Sequence, residues 1–289
     1  MRPFALLATI ATLTATAQYG SFDTKAIAAA KGNTTLVVLD DANTGFNPAL
    51  TDAVKGEWKF TASFDFINTR DLATQPLDPA KNYLMRIKRT DAEKHDAVFL
   101  ALVAGWKLKK GDPLLVEDGV VTNVPAAQEL ASIMIDPKTI STTTSAMLRI
   151  YVKQIQNFLG DVEKGRIKDK ATADRLYQSR THLIKDMDLW LAQEQLDKSI
   201  PDAKKATETY THKVQVMSLD QLMAAATSSK SGVAIGDVVL TGEEKTKWCF
   251  KRVFNANTGE LMYLRDDAAL FGKKEGFFAE DLRLMEQSR

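Results

Sequence analysis

The longest hydrophobic pattern lies in the middle of the chain, from Thr142 to Leu196, and it repeats with the period of an α-helix. Its first half carries a wide apolar stripe, formed by Met147, Leu148, Tyr151, Val152, Ile155, Phe158, Leu159 and Val162. In its second half, Leu176, Leu183 and Trp190 recur at a heptad spacing. The pattern predicts helices over 143–164 and 170–196, and their short polar connection predicts an antiparallel hairpin. Because the first stripe is so wide, we expect it to contact more than one neighbour.

Short apolar runs before this segment predict a sheet. Asn47 and Pro48 are residues that favour the start of a helix. Alternating or continuous apolar residues predict strands over 35–39, 60–67, 83–88 and 97–104, and a hairpin over 114–121 around Asp118-Gly119. The run 97–104 is the most apolar, so we expect it in the centre of the sheet.

The sequence after the long helical segment predicts a second sheet. Ser218 and Gln221 have the spacing of a capping box, which starts a helix over Leu219–Ala226. Strands are predicted over 212–217, 232–240, 247–254 and 261–265, and a last helix over 278–285.

Both flanks therefore have the order strand-helix-strand-strand-strand. The prediction is an α+β fold with two small mixed α/β lobes of similar element order, bridged by the long antiparallel helical hairpin. The domains would be 18–140, 141–200 and 201–289. Sequence identity between the flanks is slight, so a duplicated fold and a chance repetition of common units both stay open.

The first residues have the pattern of a secretory signal peptide. Arg2 is followed by an apolar stretch over Phe4–Leu13 and by the small-x-small site Ala15-Thr16-Ala17. A buried N-terminal helix or a membrane anchor is the alternative, but about 14 apolar residues are too few to cross a bilayer. We expect cleavage after Ala17 and export to the bacterial periplasm or the exterior. The residue directly after the cleavage site is Gln18 and not a cysteine, so we expect no lipoprotein anchor, and no later segment predicts a transmembrane helix.

The charge balance and the cysteine content limit the classes of partner and of cross-link that we expect. Lys and Arg number 38 and Asp and Glu 37, a balance that gives no reason to expect nucleic-acid binding. Cys249 is the only cysteine, so no intramolecular disulfide can form, and its strand-like surroundings predict a buried thiol.

Motifs for catalysis, metals and cofactors are absent from the sequence. His95, His182 and His212 are isolated, no G-x-S-x-G occurs, and the glycines at 160 and 165 lack the Lys and Ser/Thr of a phosphate loop. We therefore predict no metal site, no cofactor and no catalytic residue.

Carboxylates are the remaining candidates. Asp40 and Asp41 follow the first strand, where open α/β sheets place ligands, although solvated loop charges explain them as well. Asp65 and Asp237 are expected on exposed strand faces. Asp266-Asp267 is expected in a loop.

These observations favour a non-enzymatic binding or assembly component of the cell envelope. Its partner surface would be the helical hairpin, which would bind another protein or a second copy of the chain. A periplasmic or secreted hydrolase with an acid pair is the alternative, and a small ligand bound between the lobes is a third reading.

Overall fold

The computed structural model describes residues 19–41, 45–74, 77–90, 96–108, 113–136, 145–228, 231–242, 247–269 and 275–289. Within these ranges the fold is mixed, with α-helices and two separate sheets, which confirms the predicted α+β class. The predicted signal peptide, 1–17, and His95 lie outside the described residues, so the prediction of export stays a prediction. The division into three domains likewise stays a prediction.

The first sheet takes its strands from the part of the chain before residue 136. The strands are β1 (Thr34–Leu39), β2 (Phe64–Asn68), β3 (Lys81–Thr90), β4 (Asp96–Ala104), β5 (Val116–Glu117), β6 (Val120–Val121) and β7 (Glu129–Ile135). Their order is β2-β1-β3-β4-β7, and the β5–β6 hairpin attaches to β3. β1 is parallel to both of its neighbours, whereas β4 is antiparallel to β3 and β7. The helices of this region are α1 (Thr24–Lys31), α2 (Phe46–Glu57) and α3 (Thr69–Thr74), and α4 (Ser145–Glu163) follows β7.

The second sheet repeats this topology. Its strands are β8 (Asp188–Ala192), β9 (Val214–Met217), β10 (Val233–Thr241), β11 (Trp248–Asn255) and β12 (Leu261–Ala268), in the order β9-β8-β10-β11-β12. The helices are α5 (Lys170–Arg180), α6 (Ala203–Thr209), α7 (Leu219–Ala226) and α8 (Ala279–Gln287). β8 is parallel to β9 and β10, and the last two strands are antiparallel to their predecessors. In both sheets the first strand therefore lies between the second and the third, and the fourth follows outward. The outermost strand on that side is β7 in the first sheet and β12 in the second.

The predicted second helix of the hairpin, 170–196, is wrong beyond Arg180. Residues Thr181–Asp186 form 3₁₀ turns, and residues 188–192 are strand β8. Leu189, Trp190, Leu191 and Ala192 are all buried between β9 and β10, and a strand covered on both faces has a continuous apolar run. Periodicity cannot distinguish such a run from a buried helix, which explains the error. The predicted helical hairpin is thus not confirmed: α4 packs on α2 and β7, and α5 packs on β12.

Other local predictions differ in detail. The capping box of Ser218 and Gln221 is confirmed. Helix α2, however, begins after Gly45, and Asn47 does not cap it. The Asn47 side-chain amide instead accepts from the Asp40 backbone N–H at 2.9 Å and donates to the Asp40 carbonyl at 2.8 Å. Strand β7 and helices α3 and α6 have no counterpart among the predicted elements.

Helix α4 lies between the two sheets. One side faces α2 and β7. On the other side Tyr151 donates to Asp237 at 3.1 Å, Gln154 accepts from the Leu261 amide at 3.0 Å, and Asn157 donates to the Thr258 carbonyl at 2.9 Å. All of its apolar stripe is at most 4% exposed. The expectation of several neighbours is confirmed, and the α4 part of the predicted partner surface is covered by the chain itself.

A buried ion pair joins the two sheets beneath α4. Arg252, which is fully buried, donates to Asp237 through Nε at 2.8 Å and to the Met134 carbonyl through Nη1 at 2.8 Å. Tyr151 completes the group. The expectation that Asp237 is exposed is therefore wrong, because a charged side chain can be buried where a charged partner and hydrogen bonds compensate for lost hydration.

Candidate functional site: a pocket beside the last strand

A pocket of about 490 Å³ lies between α5 and the edge strand β12. We call it the tyrosine pocket. It is lined by Tyr19, Lys170, Asp174, Tyr177, Gln178, Thr181, Phe250, Tyr263, Leu264, Arg265, Asp266, Leu284 and Ser288. Its wall combines aromatic rings, two apolar leucines and charges of both signs.

Two tyrosines form one aromatic wall. The rings of Tyr19 and Tyr177 stack with centroids 6.2 Å apart and an interplanar angle of 5°. Two hydrogen bonds fix the Tyr19 segment to β7. The Tyr19 carbonyl accepts from Ser132 Oγ at 3.2 Å, and the Ser21 amide donates to the Leu130 carbonyl at 3.0 Å. Burial is the main cause that raises the pKa of both phenols, so they stay neutral and act as aromatic surfaces and hydrogen-bonding groups.

The first turns of α5 contribute a charged pair. The Asp169 carboxylate caps the helix by accepting from the Thr172 amide at 2.7 Å. Lys170 Nζ then donates to Asp174 Oδ2 at 2.6 Å, one helical turn away, and Tyr19 donates its hydroxyl proton to Asp174 Oδ1. The Lys170 ammonium also lies 5.6 Å from the centre of the Tyr19 ring. This face of α5 therefore holds an ammonium, a carboxylate and two rings in one connected group.

The opposite wall rests on a buried ionic network. Lys251 is fully buried and donates to Asp267 at 2.5 Å and to Asp281 at 3.0 Å. Tyr263 donates to the other oxygen of Asp281 at 2.7 Å, and Arg265 lies 3.3 Å from Asp267. These contacts fix the edge strand to α8, so this wall is supported by groups whose rotation would break several charge-assisted bonds.

Asp266 differs from the other pocket charges. It is solvent exposed, and no described residue forms an ion pair with its carboxylate. Partial burial is the largest cause that raises the pKa of Asp266, and the neighbouring Asp267 carboxylate adds to it, while Lys170 opposes it. The prediction that Asp266-Asp267 is a loop is wrong, because both residues pair with β11, opposite Phe250 and Cys249. The backbone pairing of β12 with β11 outweighs the low strand propensity of the two aspartates.

The other carboxylates singled out in the sequence lie elsewhere. Asp40 stands at the end of β1, paired with Arg86 at 2.5 Å below the tight turn at Asp118-Gly119. Asp41 is exposed, 3.9 Å from Arg70. Asp65 is exposed, as expected. None of them lines the tyrosine pocket, so the structure brings no pair of these together there.

The structure also locates the remaining candidates. The His182 ring lies 2.7 Å from the Ser179 carbonyl and that of His212 lies 3.8 Å from Glu286. Within the described ranges, no three His, Cys, Asp or Glu side chains are placed to hold a metal ion. Cys249 is buried, as predicted, and burial raises the pKa of its thiol to about 12.

Part of the pocket could have been found in the sequence. Lys170, Asp174 and Tyr177 have the i, i+4, i+7 spacing that places side chains on one helix face. Tyr19 and Asp266 carry no such signal, because only the tertiary fold brings a residue near the start of the chain and one near its end to α5.

No helix in the part of the chain that the structure describes combines the length and apolar character needed to cross a membrane. Comparison of the sequence with protein-family models, with curated proteins and with solved structures found no match.

Proposed function

We propose that the chain is an exported, non-enzymatic binding protein of the bacterial cell envelope, and that the tyrosine pocket is its site for a small organic ligand. The observation that carries the proposal is the pocket itself. Its volume of about 490 Å³ lies in the range of small-molecule sites, ~300–1,000 Å³, and rings and convergent polar groups line it. Export rests on the N-terminal pattern, with Gln18 as the first residue after cleavage.

The position of the pocket supports the reading of a ligand bound between two lobes. Tyr19 belongs to the segment that bonds β7 of the first sheet, whereas α5 and β12 belong to the second sheet. We propose that the two lobes are a duplicated unit, supported by their shared strand order. Ligand sites are frequent where two such units meet.

Adjacent positions on α5 provide a test with a matched control. Gln178 is exposed and lines the pocket, whereas the neighbouring Ser179 is exposed and does not. Residues 18–289 would be screened against a small-molecule library by thermal shift, and hits would be titrated calorimetrically. We expect Gln178→Trp to fill the pocket and weaken binding at least about tenfold, whereas Ser179→Trp binds like the parent. Hits that bind equally to both variants, or no hits, would overturn the proposal.

A hydrolase is the second candidate, and one observation favours it. Asp174 and Asp266 line the same pocket in different environments: Lys170 pairs with Asp174, whereas partial burial raises the pKa of Asp266. A carboxyl group with a raised pKa beside a second carboxylate is an arrangement that acid–base hydrolysis uses. Turnover of chromogenic glycosides or esters by the parent, lost in both Asp174→Asn and Asp266→Asn, would establish this candidate. No turnover by the parent would exclude those substrates.

Association with a protein partner or a second copy also stays a proposal. The buried apolar stripe of α4 is no longer proposed as its contact surface. Light scattering on residues 18–289 after size exclusion would measure self-association directly. A mass of one chain at micromolar concentration would remove the homo-oligomer.

A further inference from the structure

We infer that the ligand of the tyrosine pocket carries a positive charge, as an organic amine or quaternary ammonium group, and that Asp266 is its counter-ion. The inference rests on the proposed function, since it names the ligand class of the same site. It follows from the way the charges around the pocket are paired, from the open position of Asp266 and from the apolar surface in the same wall.

The charged side chains that line the pocket are two cations, Lys170 and Arg265, and two carboxylates, Asp174 and Asp266. Lys170 is paired with Asp174, and Arg265 is paired with Asp267 behind the wall. Among the described residues, Asp266 is therefore the lining charge without an ionic partner, and a ligand cation would compensate it.

The cations in and behind the pocket wall are already engaged. Lys170 lies 2.6 Å from Asp174, Lys251 lies 2.5 Å from Asp267, and Arg265 lies 3.3 Å from Asp267. A ligand anion at Lys170 or Arg265 would compete with these pairs. Asp266 forms no ion pair with any described residue, so a ligand cation would compete with none.

The wall beside Asp266 also suits an organic cation. Lys170 Nζ already lies 5.6 Å from the Tyr19 centroid and Tyr177 stacks on the same ring, so the ligand cation is placed at Asp266 and not over Tyr19. Phe250, Leu264 and Leu284 line the pocket and supply apolar surface for the body of the ligand. The complementary ligand therefore joins an ammonium group to a flat or apolar body.

The experiment compares amines with neutral compounds of the same shape. Benzylamine, phenethylamine and a trimethylammonium analogue would be titrated into residues 18–289 at pH 7, alongside benzyl alcohol and phenethyl alcohol, with ligand-observed NMR. We expect at least one amine to bind about tenfold or more tightly than its alcohol, as a charge-assisted contact provides. Added salt should weaken the amine and leave the alcohol unchanged.

Variants assign that preference to Asp266. Asp266→Asn should reduce the amine to the affinity of the alcohol without changing the alcohol. Asp65→Asn, which removes an exposed carboxylate outside the pocket, should have no effect. No binding by any amine, equal binding of both compound types, or a preference that persists in Asp266→Asn would overturn the inference. If library compounds without charge still bind and Gln178→Trp blocks them, the proposed function stands while this inference fails.

Discussion

Replacing Asp237 by asparagine would remove the partner of the most deeply buried cation that joins the sheets. The Arg252 side chain is fully buried and that of Asp237 is 7% exposed. The Asp237 carboxylate accepts from Arg252 Nε at 2.8 Å and from the Tyr151 hydroxyl at 3.1 Å. Asparagine keeps the shape but removes the carboxylate charge that faces the guanidinium. Losing one partner of a buried pair typically costs about 3–5 kcal/mol, a large part of a total of about 5–15 kcal/mol.

Equilibrium unfolding in urea, followed by tryptophan fluorescence, measures this loss. The control is Glu208→Gln, since Glu208 pairs with Lys205 at 3.3 Å and their side chains are 49% and 47% exposed. That exposed pair should change stability by less than about 1 kcal/mol. A double variant, Asp237→Leu with Arg252→Met, should recover much of the loss because both charges of the buried pair are removed. The prediction is wrong if the free energy of unfolding of Asp237→Asn lies within about 1 kcal/mol of the parent's, or if the double variant is less stable than Asp237→Asn.

Three further predictions follow from local geometry. A raised carboxyl pKa means that the ionised Asp266 destabilises the folded state above that pKa, so Asp266→Asn should be the more stable protein at pH 7. In urea titrations at several pH values the difference should vanish towards pH 3.8, the ordinary pKa of the group; a constant difference would contradict this. Gly259→Ala should have a lower urea midpoint than Gly165→Ala. Both glycines have a positive φ, 70° and 69°, so the backbone strain is alike. Only at Gly259 would the new Cβ clash, 2.3 Å from Lys153 Cβ. Equal denaturation midpoints would show that the turn yields. The Cys249 thiol, with its pKa raised to about 12, should resist a disulfide reagent at pH 8 until urea unfolds the chain, and fast labelling of the folded protein would refute its burial.

The sequence predicted the elements whose local signals agree with their surroundings. Ser218 and Gln221 form their capping box because that geometry depends on four consecutive residues. The central strand β4 was predictable because a strand covered on both faces is apolar throughout. The same rule caused the main error: β8 is also covered on both faces, and it follows a helix without a glycine or proline between them.

The site was less predictable than the fold. The face of α5 that holds Lys170 and Tyr177 follows from helical spacing, but its partners do not. Asp237 shows the reason, because an aspartate in an apolar strand has the same sequence pattern whether it meets water or Arg252. Which of the two occurs depends on a pairing over 15 residues and on contacts from α4.

The position of α4 between the sheets has a consequence for the order in which the chain can fold. Its contacts with the first sheet can form once the helix has emerged from the ribosome or from an export channel, since those strands precede it. Helix α5 reaches α4 soon afterwards, through Gln154 and Tyr177, which are 23 residues apart. Its partners Asp237, Thr258 and Leu261 follow 86, 101 and 107 residues after the α4 residues they contact. A chain truncated before β10 would lack these last contacts, so we expect it to expose apolar surface of α4 and to bind chaperones more tightly than the full chain.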